Sequence, residues 1–208
     1  MTTRTSKVRR FVFLAVGLGV FIGCRSDVAA SQASHPSKES YFPLSVGNSW
    51  VYSFRGDSGL ATKTVEWKIT QRELVRGSAV FHLWQTPPQG DEPLSLSELE
   101  TGIAEAGTER FVLKNGLHTG DRWSVKSRSL RAPGKLDAFE ALSVGKVCFD
   151  GRRSFEDCAI VREIDEANDV ASLTTYARGV GPVKYVYFKG AHSDVVNATL
   201  TIKSWEVH

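Results

Sequence analysis

Five histidines, one serine in a Gly-Asp-Ser-Gly segment and several short carboxylate runs are the groups in this 208-residue chain that could do chemistry. In Gly56-Asp57-Ser58-Gly59 a tight turn would expose a hydroxyl. Such a serine is a nucleophile only when a histidine base and an orienting acid stand within hydrogen-bond reach. His82, His118, His192 and His208 are scattered without the short spacing of a metal site. His82 falls in a strand-like run opposite the face of Phe81 and Leu83, which makes it a strand-surface residue rather than a ligand. Asp165, Asn168 and Asp169 offer oxygens but lack calcium-loop spacing and its terminal glutamate. The carboxylates of DEPLSLSELE could act as an acid/base pair only if the fold set them at a working separation. Gly179-Val180-Gly181-Pro182 lacks the spacing and the following helix of a phosphate cradle. No catalytic residue, metal ligand or cofactor is therefore expected, and the chain reads as a non-enzyme.

The three cysteines are more informative. Cys148 and Cys158 flank DGRRS, a polar turn between two strand-like runs. Pairing Gly151 with Phe155 sets Cys148 opposite Cys158 on one face of a hairpin. Directly opposed residues in a non-hydrogen-bonded pair approach to about 4.5 Å between Cα atoms, so a structural disulfide is expected in an oxidising compartment.

Cys24 sits in a different context. A basic segment, MTTRTSKVRR, precedes the apolar run FVFLAVGLGVFI, which ends at Gly23-Cys24 before polar sequence. This is the layout of a secretory signal peptide, and the run is shorter than the roughly 20 residues a membrane-spanning helix needs. Phe21-Ile22-Gly23-Cys24 resembles the lipobox of bacterial lipoprotein precursors: Gly23 and Cys24 match, whereas the family usually has Leu at position 21 and a small residue at 22. The resemblance implies removal of residues 1–23, diacylation of the Cys24 sulfur and acylation of its nitrogen. Several acyl chains make anchoring stable where one would be marginal. Arg25, rather than Asp, after the cysteine implies the outer membrane, facing the periplasm. The alternative is cleavage after Ala30, giving a secreted or periplasmic protein.

Arg4, Lys7, Arg9 and Arg10 all precede Cys24 and no acidic residue does, so the chain's net charge of +3 becomes 22 basic against 23 acidic side chains, or −1, on processing. A near-neutral domain without a basic, aromatic-interleaved run is no partner for nucleic acid. The expected partners are the membrane, through the lipid on Cys24, and a lipid or protein of the envelope.

The elements that must position these groups are strands. Residues 24–40, rich in Ser and Ala and without apolar periodicity, read as a tether. From residue 41 to 208, period-two alternation recurs between turn signals without long helical stripes, giving one all-β domain: a twisted antiparallel sheet, curled into a barrel or half-barrel. Trp50, Tyr52 and Phe54 point one way, as do Val65, Trp67 and Ile69, and GDSG joins the two runs. Nine or ten strands are expected, with LSLSELETG open between helix and strand. PLSVGNSW and NGLHTGDRW share Leu, Gly, Asn or Asp, and Trp at equal spacing. Each reads as a tight turn, with Gly47 or Gly120 left-handed, leading into a strand headed by a buried Trp.

YFPLSVGNSWVY and YARGVGPVKY resemble a loosely defined group of bacterial envelope proteins with an aromatic-Phe-Pro-Leu-x-x-Gly-Asn-x-Trp start and a Gly-Val-Gly-x-Val-Lys turn. The resemblance implies fold and location, not chemistry. Gly56–Gly59 is similar to the nucleophile segment of chymotrypsin-type proteases, but that family's upstream histidine has only His35, in the tether, to match it. The expected function is a non-enzymatic binding or structural module, for a lipid or small apolar ligand if the sheet encloses a cavity. The alternatives are an envelope hydrolase and a subunit of an envelope assembly.

Overall fold

The computed structural model describes residues 40–56, 62–86, 93–108, 110–127 and 134–208. Cys24, Asp57 and Ser58 lie outside them. Twelve strands follow in chain order: β1 (Ser49–Gly56), β2 (Lys63–Val75), β3 (Ser78–Thr86), β4 (Leu94–Leu99), β5 (Gly102–Glu105), β6 (Phe111–Lys114), β7 (Arg122–Lys126), β8 (Leu136–Phe149), β9 (Ser154–Asp165), β10 (Val170–Ala177), β11 (Gly181–Phe188) and β12 (Val196–Glu206). They form one all-β antiparallel sheet, nearly closed into a barrel. LSLSEL is strand β4, and the short β5 after it was hidden in a run with too few residues to show alternation.

The sheet is two six-stranded meanders set side by side, β1 to β6 and β7 to β12, joined where β1 pairs with β12. The turns that open the two meanders share one hydrogen-bond frame. Gly47 N–H donates to Ile69 O at 2.9 Å and Ile69 N–H to Asn48 O at 2.9 Å. In the second meander Gly120 N–H donates to Ala141 O at 2.7 Å and Ala141 N–H to Asp121 O at 2.9 Å. Both glycines have positive φ, +99° and +94°. A register shift follows each anchor, between Ile69 and Gln71 in one meander and between Ala141 and Ser143 in the other. The spaced likeness of the two segments thus extends from a shared turn to a shared strand pair with its bulge.

Alternation sends Trp50, Tyr52, Val65, Ile69, Phe81, Leu83, Tyr185, Leu200 and Ile202 into the core. Burying these side chains is the main stabilising term of the fold. Two of the largest also have polar ends to satisfy: Trp50 Nε1–H donates to Val180 O at 2.6 Å and the Tyr52 hydroxyl to Pro182 O at 2.8 Å. Trp67 packs against Tyr52 and Tyr185 at centroid distances of 5.3 and 5.0 Å. Rings from β1, β2 and β11 thus pack against one another.

Strands β6 and β7 are the two edges, and side chains close the seam between them. Trp123 of β7 donates from its indole N–H to Phe111 O of β6 at 3.0 Å, with the Lys114 ammonium 5.6 Å from its ring centre. Arg110, just before β6, reaches Lys126 O at the end of β7 and pairs with Asp137 of β8 and Glu163 of β9.

Cys148 and Cys158 form a disulfide with a Cα separation of 5.9 Å. The register differs from the simple hairpin: Cys148 stands opposite Phe155 and Cys158 opposite Lys146. The register shift before Lys146 puts an extra residue into β8 and the shift after it an extra residue into β9, so the two sulfurs meet diagonally.

Candidate functional site

Two open grooves flank the β5–β6 turn, and Glu105, Gly107 and Thr108 line both. The first, of about 610 Å³, lies over the outward face of β2, β3 and β4. The second, of about 720 Å³, lies at the seam between Thr108, Arg110, Ser124 and Lys126. Together they form the candidate site.

The first groove holds a hydrogen-bonded array that sequence reasoning did not assemble. His82 sits on the face opposite Phe81 and Leu83, as expected, and in register with Ser95 of β4. Its Nδ1 lies 3.0 Å from Ser95 Oγ, and its Nε2 lies 3.1 Å from Glu73 Oε1. Glu73 would occupy the other face without the bulge after Ile69, which shifts the pleat of β2 by one residue. In the neutral imidazole, a proton on Nε2 facing the Glu73 carboxylate leaves Nδ1 to accept a hydrogen bond from the serine hydroxyl. Ser95, however, lies in a strand paired on both sides. Its flanking backbone is committed to the ladders and is not turned towards an oxyanion.

The seam groove is backed by a buried ionic cluster. The Arg110 side chain is only 8% exposed and pairs with Glu105 at 2.9 Å as well as with Asp137 and Glu163. Its guanidinium also lies 5.5 Å from the centre of the Phe139 ring. Asp137 is 1% exposed, and its Oδ1 has no hydrogen-bond partner. Breaking such a cluster is costly because a buried charge left unpaired keeps its full desolvation penalty. The same low-dielectric interior holds the hydroxyls of Tyr176 and Tyr185 well above the ordinary tyrosine range, first through burial, with further contributions that include Glu163.

The remaining groups singled out in the sequence are dispersed. His118, His192 and His208 have mostly exposed side chains. Asp165 closes a polar turn by accepting from Asn168 N–H at 3.0 Å, and Asp169 accepts from Ala191 N–H at 2.9 Å. Burial raises the pKa of Glu98 in β4. Gly179 and Val180 lie in the β10–β11 turn, and Gly181 and Pro182 begin β11. Among the described residues no group of three His, Cys, Asp or Glu is arranged to hold a metal.

No protein family matches the sequence, and no curated protein does. Among solved structures the chain is similar to a proposed lipoprotein from Parabacteroides distasonis ATCC 8503, with a TM-score of 0.41 and 11% identity, covering 80% of this chain and 98% of that one. It is also similar to a proposed exported protein with a YmcC-like fold from Bacteroides fragilis NCTC 9343, with a TM-score of 0.42 and 9% identity, covering 79% of this chain and 98% of that one. Likeness at this level assigns the chain neither a family nor an activity.

Proposed function

We propose that this chain is a bacterial envelope lipoprotein, anchored through acyl chains on Cys24, whose barrel-like sheet is a non-enzymatic binding module. The observation that carries the binding role is the pair of grooves meeting at Glu105–Thr108. The ligand sits on the wall of the sheet, where apolar side chains such as Val75, Leu99 and Leu136 stand beside serine, threonine and charged groups, a lining suited to a small molecule with both apolar and polar parts. The test is recovery of the mature protein from detergent-solubilised membranes, with mass spectrometry of its co-purifying lipids, small molecules and proteins, beside a Thr108→Trp variant that fills the exposed rim. A compound retained by the wild type and lost from the variant supports the reading. Identical sets from both proteins contradict it.

One observation favours a second reading, an envelope hydrolase: the Glu73–His82–Ser95 array. A fluorophosphonate probe that labels Ser95 in the native protein, and fails to label a His82→Ala variant, would establish it. Absence of labelling on the folded protein would remove it.

A further inference from the structure

A separate concave surface of about 280 Å³ lies on the outer face of β1 and β12. Ser53, Arg55, Thr199 and Thr201 form its floor. Ser53 is in register with Thr201 and Arg55 with Thr199, and alternation turns all four away from the core residues Tyr52 and Leu200. Ile202, Lys203 and the tip of the β8–β9 hairpin, Asp150 to Arg152, form the rest of the wall.

The charge of this surface is uncompensated. Arg55, Arg152 and Lys203 make no ion pair with any described residue. Lys184 adds a fourth cation beside Thr201 in register. The one carboxylate in the wall, Asp150, is already engaged: it accepts from Arg152 N–H at 2.7 Å, Arg153 N–H at 2.8 Å and Arg153 Nε–H at 3.1 Å. Burial alone would raise its pKa, but these bonds hold the carboxyl below the ordinary range, so it stays ionised and paired.

The hairpin tip is also held in place against β12. Arg153 Nη2 donates to Ile202 O at 2.7 Å and Nη1 to Lys203 O at 3.3 Å, and its guanidinium lies 4.9 Å from the centre of the Trp205 ring. The Cys148–Cys158 disulfide ties the two strands of the same hairpin. The backbone that carries Arg152 is thus held on the same wall as Arg55 and Lys203, so binding has only the side chain to order.

We propose that this cavity binds a phosphate group. Two guanidinium forks and an ammonium supply charge-assisted donors, and three hydroxyls supply further donors to a tetrahedral oxyanion. Inorganic phosphate and the headgroup of an anionic phospholipid share that chemistry. The site is distinct from the grooves at Glu105–Thr108 and does not depend on what they bind.

The test is calorimetric titration, at low ionic strength, of the mature protein in neutral detergent with inorganic phosphate, dihexanoyl phosphatidylglycerol and dihexanoyl phosphatidylcholine. Saturable binding of inorganic phosphate or the glycerol lipid is expected at or below about 20 mM. It should weaken about tenfold or more in Arg152→Gln/Lys203→Gln, fall also in Arg55→Gln on the facing wall, and persist in Lys135→Gln. Tighter binding of the glycerol lipid than of inorganic phosphate and the choline lipid identifies a membrane headgroup. Binding of inorganic phosphate as tight or tighter identifies the free anion. Failure of both inorganic phosphate and the glycerol lipid to saturate, or binding by Arg152→Gln/Lys203→Gln and Arg55→Gln equal to the wild type at unchanged melting temperature, would overturn the proposal.

Discussion

The glycines that open the two halves of the sheet and the glycine beside Trp50 differ in what a side chain would meet. A Cβ on Gly120, at φ +94°, would have no atom within 4 Å, so only the backbone is strained. A Cβ on Gly181, at φ +106°, would lie 2.8 Å from Trp50 Nε1, in the core and beside the indole that donates to Val180 O. Gly120→Ala should therefore cost about 1 kcal/mol and Gly181→Ala about 2–4 kcal/mol, strain and overpacking combined. Thermal or urea unfolding of the two variants checks the order, and equal midpoints would show that Trp50 moves freely. The positive φ at Gly47 and Gly120 was legible because Gly, a polar residue and Trp recur at one spacing. The close approach at Gly181 was not, since Trp50 lies more than a hundred residues away and nothing local announces it.

At the scale of single elements, alternation identified the faces of β1 and β2 because each carries three inward apolar residues in strict period two. It failed for the register of β8 against β9. Bulges add residues without changing composition, so neither the diagonal disulfide nor the arrival of Glu73 beside His82 can be read from spacing. The disulfide closes a short loop, with a sequence separation of 10. Cys148→Ser/Cys158→Ser should lower stability by about 2.5–3 kcal/mol on the chain-entropy account. Thiol titration of the unfolded, unreduced wild type should find neither of these cysteines free. A double variant as stable as the wild type would mean that hairpin packing against β12, not the bond, fixes the tip.

For the whole molecule, the open question of barrel against half-barrel is answered at the seam, where ladder pairing stops and side chains take over. Arg110 joins the turn before β6 to β7, β8 and β9 through Lys126 O, Asp137 and Glu163. None of these partners is close in sequence, and no periodicity marks them. Arg110→Ala should destabilise the fold by about 3–5 kcal/mol because Asp137 would keep its charge without its partner. Arg110→Met/Asp137→Leu, which removes both, should cost less than Arg110→Ala alone. A seam unaffected by Arg110→Ala would show that Trp123 and packing suffice. The proposed anchoring of this sheet through acyl chains on Cys24 is tested most directly by the intact mass and N-terminal peptide of the mature protein after growth with an alkyne-bearing fatty acid. The predicted result is a chain beginning at acylated Cys24, with the label absent from Cys24→Ser. A mature chain beginning at unacylated Ser31 would contradict it.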